Sequence, residues 1–257
     1  MGCDFDLDWD DDEITSAVHY PDTDFLFTRM CQGTQELVAP QQGEWVLDVG
    51  CGKAVDALKL ADSRGKVVGL DPSSRMLHEA RDDMAGCSTQ VVLLRGIGEA
   101  LPFKRRSLDK VMCKGALDHF PDPEKSIQEM AEVLKAGGEA VIAIANFESL
   151  SCRLGRRWHS FLKLFIRGEH PRTPWEMPSD HTFKFDYPSF LGMVGRHFEV
   201  RSVLPVSLLW TAPYWGKLLS LMPRRIPDTL LPVLDKVARR VPSLSDVIIV
   251  KGTPRNV

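Results

Sequence analysis

The sequence predicts an α/β fold, a doubly wound and mostly parallel sheet with helices on both faces. Three observations carry that prediction: short apolar runs alternate with helical stretches, a glycine-rich turn follows the first run, and an acid ends the second. Strands are expected at 45–49, 66–71, 91–95, 108–113 and 139–145, with helices at 54–62, 73–85 and 124–135 among them. A helix from Asp24 to about Val38 leads in, and helix 188–196, strand 198–204 and strand 246–251 complete the series.

The first strand, Trp45 to Val49, buries Val46, Leu47 and Val49 and places Asp48 near its end. Gly50 and Gly52 then allow a sharp turn and a close approach of backbone to a ligand. The helix from Ala54 presents its free N–H groups above that turn. Asp48 would welcome a cationic or amine-bearing ligand and repel a bare pyrophosphate. The second strand, Lys66 to Asp71, follows the Ser63-Arg64-Gly65 turn and ends in an acid 23 positions after Asp48. An acid at about that distance beyond a glycine turn commonly accepts hydrogen bonds from ribose hydroxyls. The pair signals an adenosine-containing ligand and does not by itself separate NAD from S-adenosylmethionine.

The helix at 124–135 has clear punctuation. Asp122 caps its start, Pro123 suits its first turn, and Gly137 is expected to end it. Ile127, Met130, Ala131 and Leu134 share one face and read as scaffold.

Further along the chain Gly98-Glu99-Ala100-Leu101-Pro102-Phe103, Ser107 to Cys113, Leu117-Asp118-His119-Phe120-Pro121-Asp122-Pro123 and Glu132 to Gly138 occur in that order. Together with Asp48-Val49-Gly50-Cys51-Gly52 and Asp71-Pro72-Ser73, they resemble the class I S-adenosylmethionine-dependent methyltransferases, in the branch of small-molecule and quinone-biosynthesis enzymes. The resemblance is strong over residues 44–147 and weak elsewhere. It implies a Rossmann-like, seven-stranded sheet whose last strand runs antiparallel beside the fifth. It also implies that Asp48, Gly50, Cys51 and Gly52 hold the methionine end of the cofactor and that Asp71 binds the ribose. Met76 would pack on adenine, Gly98 and Glu99 would meet its edge, and Lys114 would lie near the amino group. Ile97 departs from the family, which places an acid there to accept from the adenine amino group.

Composition fits an ordinary globular chain: 257 residues, 44% hydrophobic, net charge −3. Six scattered cysteines without a C-x-x-C pair suit a reduced, cytoplasmic setting. No run of 18 apolar residues and no basic-then-apolar leader is present. Residues 1–13 carry seven acids and no base, so 1–20 reads as an acidic, disordered leader. Residues 21–257 then form a single domain with cap insertions at about 148–187 and 205–245.

The insertions carry the acceptor information. Leu154, Trp158, Phe161, Leu162 and Phe165 recur at helical spacing, with five bases and no acid between Ser151 and Arg167. Two readings stay open: a lid helix packing its stripe on the core, or a basic amphipathic helix on an anionic membrane surface or lipidic substrate. In the second insertion Leu208, Leu209, Trp210, Tyr214, Trp215, Leu218, Leu219 and Leu221 precede Arg224 and Arg225, and Pro213 and Gly216 are expected to break any long helix. A small-molecule or lipid-linked acceptor, peripheral membrane contact and no nucleic acid are the expected partners. His119, after the fourth strand, and His181, beside Asp180, are the candidate bases for deprotonating an acceptor. No metal-ligand spacing is visible among the seven histidines. A noncatalytic S-adenosylmethionine-binding protein and an NAD-dependent oxidoreductase are the alternatives. The latter is disfavoured by the absence of a Tyr-x-x-x-Lys pair.

Overall fold

Seven strands form one sheet in the order β3-β2-β1-β4-β5-β7-β6. In the computed structural model, which describes residues 20–62, 65–85, 91–162 and 182–255, they are β1 (Trp45–Val49), β2 (Lys66–Asp71), β3 (Val92–Arg95), β4 (Leu108–Lys114), β5 (Leu134–Ala145), β6 (Phe198–Val206) and β7 (Val247–Pro254). The first five pair in parallel, and β7 runs antiparallel between β5 and β6. The Rossmann-like order expected from the sequence is therefore present, including the reversed last strand.

The helices are α1 (Pro21–Val38), α2 (Val55–Asp62), α3 (Ser74–Met84), α4 (Pro123–Val133), α5 (Leu150–Leu162), α6 (Tyr187–His197), α7 (Trp215–Ser220) and α8 (Arg225–Ala238). Alternate strand residues feed two cores. Leu47, Val49, Leu70 and Ile142 meet Ile127 and Met130 of α4 and Phe190 of α6 on one face. Val46, Val67 and Met112 meet Leu26 and Met30 of α1, Leu60 of α2 and Ala80 of α3 on the other. Burial on both faces explains why the strands read as continuous apolar runs.

Caps fix the helix starts. Asp122 accepts from the Lys125 N–H at 2.9 Å, ahead of Pro123 in the first turn. Asp186 and Ser189 form a reciprocal capping box on α6. One expectation needs correction. Helix α4 ends at Val133, four residues before Gly137, because Leu134 already pairs with Leu108 in the sheet; Gly137, at φ +80°, instead serves a turn inside the β5 segment. Gly216 lies within the six-residue α7, and the missing Cβ leaves room for the Asp22 carboxylate. Helix α8 carries Pro232 in its interior and was not among the helices expected from the sequence.

Helix α5 turns its small face inward. Ser151, Cys152 and Gly155 are buried, whereas Leu154, Trp158 and Phe161 are exposed. The lid-helix expectation, in which this stripe packs on the core, does not hold for these three; Phe165 lies outside the described residues.

Candidate functional site

The carboxyl ends of β1, β2 and β4 converge on one edge of the sheet, where an open α/β sheet forms its binding crevice. There the chain reverses at Gly50 and Gly52, with φ of +73° and +52°. Ala54 follows at φ +57°, the least comfortable of the three because it carries a Cβ. The turn is held from below: the N–H groups of Gly50 and Cys51 both donate to the Leu70 carbonyl, at 2.8 and 3.1 Å. A Cβ at Gly50 would lie 2.4 Å from that of Ala116, so this glycine lets the loop after β4 close against the turn. Gly98 has the same role in the loop after β3, where a Cβ would meet the Phe120 ring at 2.7 Å.

Asp71 clamps the turn. One carboxylate oxygen accepts from the Gly52 N–H at 2.9 Å and the other from the Ser73 N–H at 2.9 Å. It thus fixes the glycine turn and the start of α3 together. Met76 is fully buried in the first turn of α3, its terminal methyl beneath Gly52. Glu99 accepts from the Asp122 N–H at 3.2 Å, and burial pushes its carboxyl up. Its side chain therefore braces the Gly98 loop against α4.

Behind the turn lies a cluster of charges that sequence reasoning did not foresee. Lys114 Nζ pairs with Asp56 of α2 at 2.6 Å and touches Cys31 Sγ of α1 at 3.2 Å. Gln35 of α1 donates to Asp56 from the other side at 3.2 Å. Burial works against both charges, yet the attraction between them holds the Asp56 carboxyl low and the Lys114 ammonium high. Asp48, 3% exposed, fares differently. Burial first, and then the neighbouring Asp56 charge, push its carboxyl from 3.8 up to about 8, against the pull of Lys114. Asp56 could not be singled out beforehand, because an acid in a helix first turn is ordinary.

Two further carboxyl groups, Asp56 and Asp71, and one ammonium, Lys114, thus act on Asp48. A ligand bringing an ammonium or a sulfonium would favour the ionised form of Asp48, which burial and then the neighbouring acids oppose, and a pyrophosphate would add to that opposition. The glycine-lined turn, the clamped acid at the end of β2 and this negative balance fit S-adenosylmethionine better than NAD. The cofactor would supply an activated methyl group on its sulfonium.

Of the candidate bases, His119 ends the 3₁₀ turn Leu117–His119 and is half-buried. His181 lies outside the described residues, but the adjoining Thr182 is tied to that same turn, its N–H donating to the Asp118 carbonyl at 2.8 Å. No group of three potential metal ligands occurs among the described residues.

Residues 46–138 match the profile of the "Methyltransferase domain" family. A demethylmenaquinone methyltransferase from Desulfitobacterium hafniense is 35% identical over 111 residues, 41% of this chain and 44% of that protein. A ubiquinone biosynthesis O-methyltransferase from Nitrosomonas europaea is 30% identical over 149 residues, 56% of this chain and 63% of that protein. The chain therefore spans less than two thirds of either relative. The solved structure of YcgJ from Bacillus subtilis superposes with a TM-score of 0.58 at 18% identity, covering 90% of this chain and 100% of its own, a likeness of fold.

Proposed function

Residues 46–138 matching the methyltransferase-domain family, we propose that the protein is a class I S-adenosylmethionine-dependent methyltransferase that transfers a methyl group to a small-molecule acceptor. The observation that carries this reading is the acid-rich glycine turn, where buried Asp48, displaced to about 8, awaits a cationic partner. Asp48 and the backbone of Gly50, Cys51 and Gly52 hold the amino-acid end of the cofactor. Asp71 accepts from the ribose, Met76 and the Gly98–Glu99 loop flank the adenine, and the Lys114 strand end closes the site. In the transfer, the acceptor's lone pair forms the new bond to carbon and the carbon–sulfur electrons stay on sulfur. Alignment of the three atoms supplies much of the acceleration. His119 is the first candidate to take the acceptor's proton, and His181 the second.

The named relatives act in quinone biosynthesis, and the insertions are rich in large apolar residues and bases. A phenolic or quinone-like acceptor, prenylated or otherwise lipid-linked and met at a membrane surface, fits both facts. Among the described residues no helix is long and apolar enough to cross a membrane, so contact would be peripheral. The test is transfer of labelled methyl to catechol and hydroquinone acceptors, with and without a prenyl chain. Label should enter the acceptor, faster when the chain is present. Tight cofactor binding with no labelled product from any acceptor would favour a noncatalytic binding protein.

A further inference from the structure

We propose that α5 and the segment from Tyr214 to Leu221 form one docking surface for an anionic lipid bilayer. The inference rests on the lipid-linked acceptor reading and names the surface that would deliver such an acceptor. Leu154, Trp158 and Phe161 stand one turn apart on the outer face of α5, and Phe161 is 51% exposed. Across a gap in sequence, Tyr214 meets Trp158 edge to face, with centroids 6.2 Å apart. Trp158 also contacts Phe161 at 6.0 Å. Leu218 and Leu221 extend the patch from α7, and Tyr214 and Leu221 are 69% and 76% exposed, more open than side chains of their size need be. The two insertions, far apart in sequence, therefore build one contiguous apolar surface.

Charge selects the occupant. Arg157, Lys217, Arg224 and Arg225 are exposed around or just beyond the apolar residues, and none forms an ion pair with the described residues. Glu148, just before α5, is already engaged by Arg153 and Arg156. Arg156 also donates to the Phe147 carbonyl at 2.9 Å, so its guanidinium serves the start of α5 rather than a ligand. Aromatic residues with a polar edge, aliphatic tips and a basic surround are what an anionic interface accepts. A second copy of the same basic surface would be repelled.

Geometry gives the docking a purpose. Helix α5 follows the carboxyl end of β5, and the segment carrying Tyr214 follows the end of β6. Both are tied to buried Asp246 at the start of β7. Ser151 of α5 donates to it at 2.6 Å and the Trp210 N–H at 2.9 Å. The patch consequently lies on the same edge of the sheet as the glycine turn. Docking through it would set that edge toward the bilayer.

The experiment is flotation of the full chain with phosphatidylcholine vesicles, alone and with about a third phosphatidylglycerol. Its variants are Trp158→Ala/Tyr214→Ala/Leu221→Ala and Arg157→Ala/Arg224→Ala/Arg225→Ala. The parent should float with anionic vesicles only, and less as salt rises. The triple arginine variant should lose roughly a hundredfold in partition, at about fivefold for each base, and the apolar variant should lose at least as much. Titration with S-adenosylhomocysteine should be unchanged in both, which shows that they fold and separates this proposal from the cofactor reading. A parent that stays unbound while binding the cofactor product overturns the docking surface and leaves the transferase standing. A dimer in sedimentation equilibrium that dissociates on the apolar substitutions also overturns it, because the patch is then covered by a second copy.

Discussion

Replacing Asp48 with Asn should stabilise the protein at neutral and alkaline pH while weakening its hold on a cationic cofactor. Asp48 is 3% exposed, and burial followed by the charge of Asp56 lifts its carboxyl from 3.8 to about 8. A carboxyl raised in the folded state keeps its proton where the unfolded chain has already released it. Stability therefore falls as pH rises from about 4 and levels off above about 8, the reverse of a salt-bridged carboxylate. At roughly 1.4 kcal/mol per pH unit over about four units, the fall is on the order of 5 kcal/mol. Asn is neutral throughout and nearly the same shape, so the Asp48→Asn protein is spared it. Parent and variant should match near pH 4 and differ by about 4 kcal/mol at pH 7. Binding has the opposite sign. A ligand ammonium favours the ionised carboxyl, so the parent's affinity should climb toward pH 8, with up to one proton released on binding. Urea denaturation at pH 5, 7 and 9 reads the first effect, and calorimetry in two buffers of different ionisation enthalpy reads the second. If Asp48→Asn unfolds and binds in parallel with the parent at every pH, Asp48 is not the titrating group and the charge argument fails.

Three further outcomes follow from the same geometry. Gly50→Ala forces a Cβ to 2.4 Å from Ala116 at φ +73°, which should cost at least about 2 kcal/mol in a thermal melt and loosen cofactor binding. Lys114→Met strands Asp56 behind the turn and should destabilise by on the order of 3 kcal/mol; the double variant Lys114→Met/Asp56→Leu should recover most of it, since no charge is then left alone. Asp246 is also raised by burial, to about 7, against hydrogen bonds that include those from Ser151 and the Trp210 N–H. Stability should fall as pH climbs from about 4 to about 7 and then level off. Asp246→Asn should flatten that slope, as measured by denaturation across the range.

The sheet was legible because its central strands are buried on both faces. Lys66–Asp71 coincides with β2, and the other strand centres are placed by runs such as Val141 to Ile144 that admit no polar residue. The glycine turn and Asp71 were legible because backbone reversal and ribose recognition demand those residue types at that spacing. What stayed hidden depends on contacts distant in sequence. Nothing near Lys114 announces Asp56, Cys31 or Gln35, which α1 and α2 bring to it. The outward stripe of α5 could not be told from an inward one, because periodicity defines a face without saying which way it points. Helix α8 holds Pro232 in its interior, a local preference that the packing of Leu231 and Ala238 overrides.

Calorimetric titration of the full chain with S-adenosylmethionine, S-adenosylhomocysteine and NAD tests the central claim most directly. The acid-rich turn at Asp48, Asp56 and Asp71 predicts that both sulfur-containing nucleosides bind at one site per chain and that NAD, with its pyrophosphate, does not. Binding of NAD with no heat from either S-adenosyl compound would contradict the account.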